Sequence, residues 1–465
     1  MKKSPLRKIQ KALLFAAPAA LFFSYHPVIS LGGTESMNFE FSLAEIWLIL
    51  FSLASLVDLK DFFKFYGKKL FLLLAFPAYA ALSLLWTPNR LRALLTVGLL
   101  FLLFFVGLNI YYQIKKSPKK LPLLQKILVL SAAVFSAFCW LQCVLDLLGV
   151  DRSATLLCRG CTYYAFGFPH PNGLAIEPQF AGNLLLAPAL LMTYGLVTKK
   201  YLFKKPAHLL LTFFLTTTVF LTFSRGAIYA LMIGFAVIFF LRFPVIKSNE
   251  KKSRTVQFNP RAFLLIPVAL VSFGVALTAQ GLFSEFSPTN DTFFSGVAKS
   301  IHQLSLGKID LRPAEAPTSS DPTTTFSAIE SAEEVTDSVY TGYVENSTAF
   351  RAELTHTALD IWNDSPTNLL FGTGLGSAGI KLLEKNPDFG IEKEIVQNQY
   401  ASILLELGLV GALLALATLV FILKNINLTP LFLATLFSYA VTLFFFAGLP
   451  NALHVYLFLI LVMEV

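Results

Sequence analysis

Charged residues are scarce in this sequence. Asp, Glu, Lys and Arg make up 14% of its 465 residues, whereas soluble proteins usually contain about 25%. Apolar residues make up 55%, and the mean hydropathy is +0.65. The few charges lie in short clusters between long apolar runs, as loops do between membrane helices. The sequence therefore excludes a soluble multidomain protein and predicts an all-α polytopic membrane protein.

Groups that hold metal ions are also scarce. The chain has four cysteines, and no acidic cluster with the spacing of divalent-metal ligands lies near the arginines discussed below. Cys158 and Cys161 form a single Cys-x-x-Cys pair without a second pair of ligands. The metal signal is therefore weak, and a disulfide is the more usual outcome outside the cytoplasm. We expect neither a metal nor another cofactor.

Twelve apolar runs are close to the length of a membrane-spanning helix. The first run follows a basic N-terminus, as in a signal peptide, but no clear small-residue cleavage site comes after it, so we expect a retained span. We predict about 12 transmembrane helices, near residues 8–25, 42–57, 69–86, 91–113, 122–148, 179–197, 206–223, 226–243, 261–281, 398–423, 430–448 and 451–465.

Lysine is missing from every short loop that is predicted to face outward. If the N-terminus is cytoplasmic, the loops on that side contain 25 of the 37 Lys and Arg residues, and 21 of those 25 are lysine. Cationic loops resist translocation across the membrane. The asymmetry predicts a multi-pass protein of the cytoplasmic (inner) membrane with both termini in the cytoplasm.

One large loop between the ninth and tenth helices is predicted to be extracytoplasmic. The chain then has three parts: helices 1–9 in residues 1–281, the loop domain in residues 282–397, and helices 10–12 in residues 398–465. The segment from Leu282 to Val396 contains 17 of the 28 acidic residues. We therefore expect no nucleic-acid binding despite the net charge of +9.

The middle of this loop has the composition of a disordered segment. Residues at about 312–348 are rich in Pro, Ser, Thr, Ala and Glu and poor in large apolar residues, so they cannot bury enough surface to become ordered. We predict a disordered insertion there, between an ordered segment at 293–306 and a helix at 347–363.

The cations of the short outward loops are all arginine: Arg90, Arg92, Arg152, Arg159 and Arg225. The planar guanidinium binds phosphate oxygens through two parallel hydrogen bonds, which indicates an external ligand that carries phosphate. The alternative is that these arginines reach lipid headgroups, and for Arg152 and Arg159 this is favoured. Arg225 is different, because it lies in a short polar break between two apolar runs.

Other groups with possible chemistry are open to two interpretations. Glu177, before the sixth helix, is either a general base or a negative charge at a helix N-terminus. His356 and Asp360 are four residues apart on the predicted loop helix, a spacing more typical of helix stabilisation than of catalysis. The glycines of residues 372–376 allow a close backbone approach, but they follow no strand of a βαβ unit, so a dinucleotide site is not indicated.

Several of these patterns, taken in order, resemble the O-antigen ligase and polymerase family of membrane glycosyltransferases. The matching elements are Ser83-Leu84-Leu85-Trp86, Thr222-Phe223-Ser224-Arg225-Gly226, the long outward loop, Arg351 to Trp362, Pro366, Gly372-Thr373-Gly374-Leu375-Gly376, Asn398-Gln399-Tyr400 and Leu405-Glu406-Leu407-Gly408-Leu409-Val410-Gly411. Each motif alone is short, and the resemblance depends on their order between Trp86 and Gly411.

The resemblance implies a glycan transfer at the outer membrane face, and the lack of an acidic cluster near the arginines predicts that this transfer is metal-independent. The donor would be a glycan on undecaprenyl diphosphate, the acceptor a sugar hydroxyl of a glycan or lipid-linked glycan, and membrane lipids the surroundings. Arg225 and Arg351 would act on the departing diphosphate, with Glu177 as acceptor base and His356 as second choice. The residues expected to bind substrate are Arg90, Ser224, Gly374, Gly376, Asn398 and Tyr400.

One position departs from the family pattern. Ligases of the family have a histidine before the Asn-x-Tyr element, where this chain has Gln397, which takes up no proton at neutral pH. This favours a polymerase or another glycan transferase over a lipid A core ligase. The alternative is a transporter or flippase for a lipid-linked or anionic solute, but ionisable residues are nearly absent from the middle of the apolar runs, which favours an enzyme.

Overall fold

The computed structural model describes residues 5–34, 37–147, 170–248, 254–286, 292–305, 308–309, 311, 343–389, 396–448 and 452–463. A helix occupies each of the twelve predicted positions, with boundaries that differ by a few residues. In chain order the helices are α1 (Pro5–Ala20), α2 (Leu43–Ser55), α3 (Leu59–Tyr66), α4 (Lys69–Leu82), α5 (Arg90–Lys116), α6 (Leu121–Leu147), α7 (Pro178–Thr198), α8 (Lys205–Leu221), α9 (Arg225–Arg242), α10 (Leu265–Glu285), α11 (Phe293–Leu304), α12 (Tyr343–Asn363), α13 (Pro366–Phe371), α14 (Ala378–Lys385), α15 (Gln399–Asn425), α16 (Pro430–Thr442) and α17 (Leu453–Leu461).

The described helices differ in their ability to cross a bilayer. Six are long and apolar enough to do so, namely α5, α6, α7, α9, α10 and α15, and α4, α8 and α16 are apolar but shorter. Large apolar side chains also point away from the protein, as lipid-facing residues do: Phe71 is 81% exposed, Val134 72% and Leu210 70%. The all-α membrane class is confirmed, and the number of about 12 spans stays a prediction.

Helix α7 is the centre of the bundle. All residues from Gln179 to Val197 are buried, and α7 contacts α6, α8, α9, α16 and α17. Small residues allow the close approach, since a Cβ added at Gly182 would lie 2.5 Å from the Cβ of Ala227 on α9. Polar side chains near the beginning of α7 are therefore buried among other helices instead of facing solvent.

Polar contacts join distant parts of the chain at both ends of the bundle. At the end that we call the opposite end, Arg7 forms an ion pair with Asp58 at 3.2 Å, and the Lys69 ammonium donates to Asn425 at 2.9 Å. At the other end, which we call the site end, the Thr87 hydroxyl donates to the backbone oxygen of Leu375 at 2.8 Å. Each of these contacts joins helix ends or loops that the alternation of predicted spans assigns to one side.

The ordered parts of the long loop pack on the bundle. Leu354, Ala358 and Ile361 of α12 form a small core with Ala401 and Leu405 of α15. Helix α12 begins at Tyr343, so it extends into the last residues of the predicted insertion. The rest of that insertion lies outside the described residues, as do Arg152, Arg159, Cys158 and Cys161.

Two antiparallel hairpins add to the helices. Strands β1 (Val28–Thr34) and β2 (Met37–Ser42) form the first, and β3 (Pro244–Ser248) and β4 (Arg254–Phe258) form the second. Hydropathy does not indicate such short strands, because each occupies a connection between apolar runs.

Candidate functional site

The glycine run of residues 372–376, which we call the glycine loop, lies between two distant parts of the chain. Its backbone N–H groups at Thr373 and Gly374 donate to the carbonyls of Leu405 and Glu406 at 2.8 and 2.9 Å. On the other side, the backbone N–H of Leu375 donates to the hydroxyl of Ser83 at 3.1 Å. The loop therefore connects the end of α4 to the first turns of α15.

This docking requires glycine. Gly374 has a φ of +95°, and a Cβ there would lie 2.5 Å from the Cα of Thr87. Gly408, with a φ of +63°, interrupts α15, and a Cβ there would overlap the carbonyl of Leu370. The close backbone approach that the glycines predict is therefore made between segments of this chain. Substrate binding by Gly374 and Gly376 stays a prediction.

Glu406 and Arg92 face each other beside the glycine loop. The Glu406 carboxylate accepts a hydrogen bond from the backbone N–H of Ala378 at 3.1 Å, and the Arg92 guanidinium acts on it electrostatically. Together with Gln399 and Ser402 they line a cavity of about 20 Å³, which is room for roughly one water molecule. A buried carboxyl group that feels the charge of Arg92 therefore lies beside the loop.

Hydrogen bonds to α7 hold the backbone around Arg225. Ser224 is the N-cap of α9, and its hydroxyl donates to the side-chain oxygen of Gln179 in the first turn of α7. The Gln179 amide in turn donates to Asn183 at 3.0 Å. A Cβ at Gly226 would lie 2.7 Å from the Gln179 oxygen. The backbone of half-buried Arg225, between Ser224 and Gly226, is therefore fixed against α7.

The residues just before Arg225 are also held. Phe223 is buried with a φ of +46°, and its carbonyl accepts a hydrogen bond from Gln303 of α11 at 3.1 Å. His170 lies beside it, with the two rings 5.7 Å apart. Burial lowers the pKa of His170 to about 3, so the imidazole is neutral at physiological pH and is unsuited to be a general acid.

One turn joins the Arg225 and Arg92 regions. The backbone N–H of Gln399 donates to the carbonyl of Leu443 at 2.9 Å, and Ala447 lines the cavity beside Arg92. Between them, Phe445 lies next to Gly226. Both arginine regions are therefore at the site end, separated by residues 443–448.

The two predicted catalytic residues of α12 are placed differently. Arg351 is half-buried and lies three residues before Leu354, on the face that packs against α15. Within the described part of the chain its side chain has no hydrogen bond or ion pair, so none joins it to Arg225. His356 and Asp360 are exposed, and the structure shows no hydrogen bond or ion pair between them. Convergence of Arg225 and Arg351 on one ligand stays a prediction.

The other predicted site residues are at the site end with defined local roles. Glu177 is the N-cap residue of α7 and Arg90 begins α5; both are exposed. The Asn398 side chain caps α15 by accepting from the backbone of Tyr400 at 3.0 Å, and the Tyr400 hydroxyl donates to the carbonyl of Ala440 at 2.8 Å. These last two groups are used in packing within the chain.

Sequence reasoning did not select Arg92, Glu406 or Gln179 for the site. Arg92 was only one of five outward arginines, and Glu406 was only part of a family motif. Gln179 gave no signal, because a glutamine at the start of an apolar run usually faces headgroups. Arg92 and Glu406 are more than 300 residues apart, and local sequence patterns do not predict which distant segments meet.

A comparison with known families places this geometry in context. Residues 210–416 match the model of the family described as O-antigen ligase. The match covers a little less than half of the chain. No curated protein matches the chain. The matched segment contains Arg225, Arg351, the glycine loop and Glu406, and the resemblance to the O-antigen ligase and polymerase family is confirmed. It supports glycan transfer of the O-antigen ligase type at a membrane, with lipid-linked glycan substrates.

Proposed function

We propose that this protein is a membrane glycan polymerase or ligase. It transfers a glycan from undecaprenyl diphosphate to the hydroxyl of an acceptor sugar on the outer face of the cytoplasmic membrane. The chain crosses that membrane about 12 times, and both termini are cytoplasmic. The absence of a divalent-metal motif from the sequence favours metal-independent chemistry.

The match of residues 210–416 to the O-antigen ligase family carries this proposal. The geometry adds support, because Arg225 is fixed at the site end and Arg92 lies beyond the neighbouring turn. Arginines at one end of an apolar bundle suit a lipid carrier whose diphosphate remains at the membrane surface.

The proposed reaction is a nucleophilic substitution at the anomeric carbon of the donor sugar. The acceptor oxygen forms a bond to that carbon, and the bond between the carbon and the diphosphate oxygen breaks with its electron pair going to the diphosphate. The acceptor proton passes to a base, for which Glu177 is our first candidate and His356 the second. Arg225 and Arg351 stabilise the diphosphate most when its charge develops.

Reconstitution tests the proposal. Purified protein in lipid nanodiscs is given a lipid-linked oligosaccharide donor and an acceptor, and product is measured as longer or ligated glycan together with free undecaprenyl diphosphate. One undecaprenyl diphosphate is expected for each glycosidic bond formed. Movement of the donor across proteoliposomes without either product would instead identify a transporter or flippase.

A further inference from the structure

A large open cleft lies on the side of the glycine loop away from the Arg92 cavity. It measures about 880 Å³, and its walls come from the turn after α4, the end of α12, α13 and α14. Gly372 and Thr373 line this cleft, whereas Leu375 and Gly376 line the Arg92 cavity. A ligand in the cleft would therefore lie against the same loop that lines the Arg92 cavity.

The cleft has an aromatic platform. Trp86 is 37% exposed and Phe371 44%, and both line it. The indole N–H of Trp86 has no hydrogen-bond partner among the described residues. The ring of Tyr79 lies 6.2 Å from that of Trp86, and the single proton of the Tyr79 hydroxyl is shared between the carbonyls of Leu407 at 3.1 Å and Phe371 at 3.3 Å. Tyr79 therefore contacts both the Trp86 ring and the backbone of Phe371.

The polar wall of the cleft is charged but balanced. Lys385 pairs with Asp364 at 3.3 Å, and Lys381 pairs with Glu384 at 2.6 Å. Two cations and two carboxylates give no net charge, so this wall is unsuited to a diphosphate, which requires an excess of cations. It offers both donors and acceptors, which suits a ligand with many hydroxyl groups.

We propose that this cleft is a glycan-binding subsite, in which Trp86 stacks against the C–H face of a sugar ring and the paired side chains bind its hydroxyls. Aromatic rings combined with a few polar groups in a cleft of this size are typical of ligand sites. The inference rests on the proposed function only for its role, which is to hold a growing or acceptor glycan beside the site. Binding itself does not require turnover.

Binding is tested with oligosaccharides released from the surface glycan of the producing cell, free of lipid. Affinity for the protein in detergent is measured by saturation-transfer NMR titration. Trp86→Ala is expected to weaken binding about tenfold. Trp86→Phe keeps an aromatic ring, so it should lose less than half as much binding free energy as Trp86→Ala. Leu85→Ala is the matched control, because Leu85 is a neighbouring, 74% exposed residue that does not line the cleft.

Three further measurements separate the possible outcomes. An Arg225→Lys variant should bind the oligosaccharide like the wild type, so loss of the proposed transferase activity and loss of the cleft are distinguishable. In the transfer assay, a raised KM of Trp86→Ala for the acceptor would assign the cleft to the acceptor chain, and a raised KM for the donor would assign it to the donor chain. Wild-type oligosaccharide affinity in folded Trp86→Ala would overturn the proposal.

Discussion

The hydroxyl of Ser224 donates a hydrogen bond to the side-chain oxygen of Gln179, and this bond joins the first turns of α9 and α7. Because Arg225 follows Ser224 directly, this bond holds the backbone from which the Arg225 side chain extends. We therefore expect Gln179 to act as a positioning residue for Arg225 in the proposed reaction.

Replacing Gln179 by Leu should lower turnover about tenfold, since small displacements of a charge-stabilising group have large effects on rate. The lost hydrogen bonds should also lower the free energy of unfolding by about 1–3 kcal/mol. Gln125→Leu is the control, because Gln125 is also buried and donates to a carbonyl, that of Leu461, at the opposite end. Equal turnover per folded molecule in the two variants would contradict a positioning role for Gln179.

Replacing Arg225 or Arg351 by Lys should lower turnover roughly ten- to a hundredfold. Lysine keeps the charge but loses the planar fork, and each charge-assisted hydrogen bond to a phosphate contributes about 1.5–3 kcal/mol. Arg261→Lys is the control, because Arg261 is a half-buried arginine that sequence topology assigns to the cytoplasmic side. Glycan transfer by each purified variant is the measurement. Near wild-type rates in both would mean that these arginines only contact lipid headgroups.

Replacing Gly374 by Ala should destabilise the protein by about 2 kcal/mol or more. The alanine would have to adopt a positive φ, and its Cβ would press against the backbone of Thr87. Gly98→Ala provides the comparison, because nothing lies within 4 Å of a Cβ there and α5 should gain up to about 1 kcal/mol. Thermal unfolding in detergent measures both changes. A Gly374→Ala protein as stable as the wild type would show that the loop is not docked on Thr87.

Reporter fusions test the predicted sidedness. Fusions at Gly32, Asn172 and Thr323 should report an extracytoplasmic position, and fusions at Lys119 and Lys251 a cytoplasmic one, because lysine-rich loops resist translocation. A cytoplasmic reporter signal at Thr323 would invert the long loop and remove the proposed access of the site to an external glycan.

The sequence alone determined where the apolar helices lie. Each apolar run owes its hydropathy to its own side chains, so the positions of helices such as α5, α6 and α15 follow from local composition. The order of short motifs was also sufficient to indicate the family that residues 210–416 match. The roles of Arg225 and Arg351 remain predictions, although their placement at or near the site end agrees with them.

Only the tertiary structure decided which helices and side chains meet. Helix α7 has the lowest mean hydropathy of the six described helices that are long enough to cross a membrane, so hydropathy does not reveal that it is enclosed by the others or that Gln179 reaches Ser224. Likewise, Arg92 and Glu406 belong to distant segments that the glycine loop brings together by close backbone packing. Hydropathy depends on each segment by itself, whereas these pairings depend on the shapes of two or three packed surfaces, which no single stretch of sequence contains.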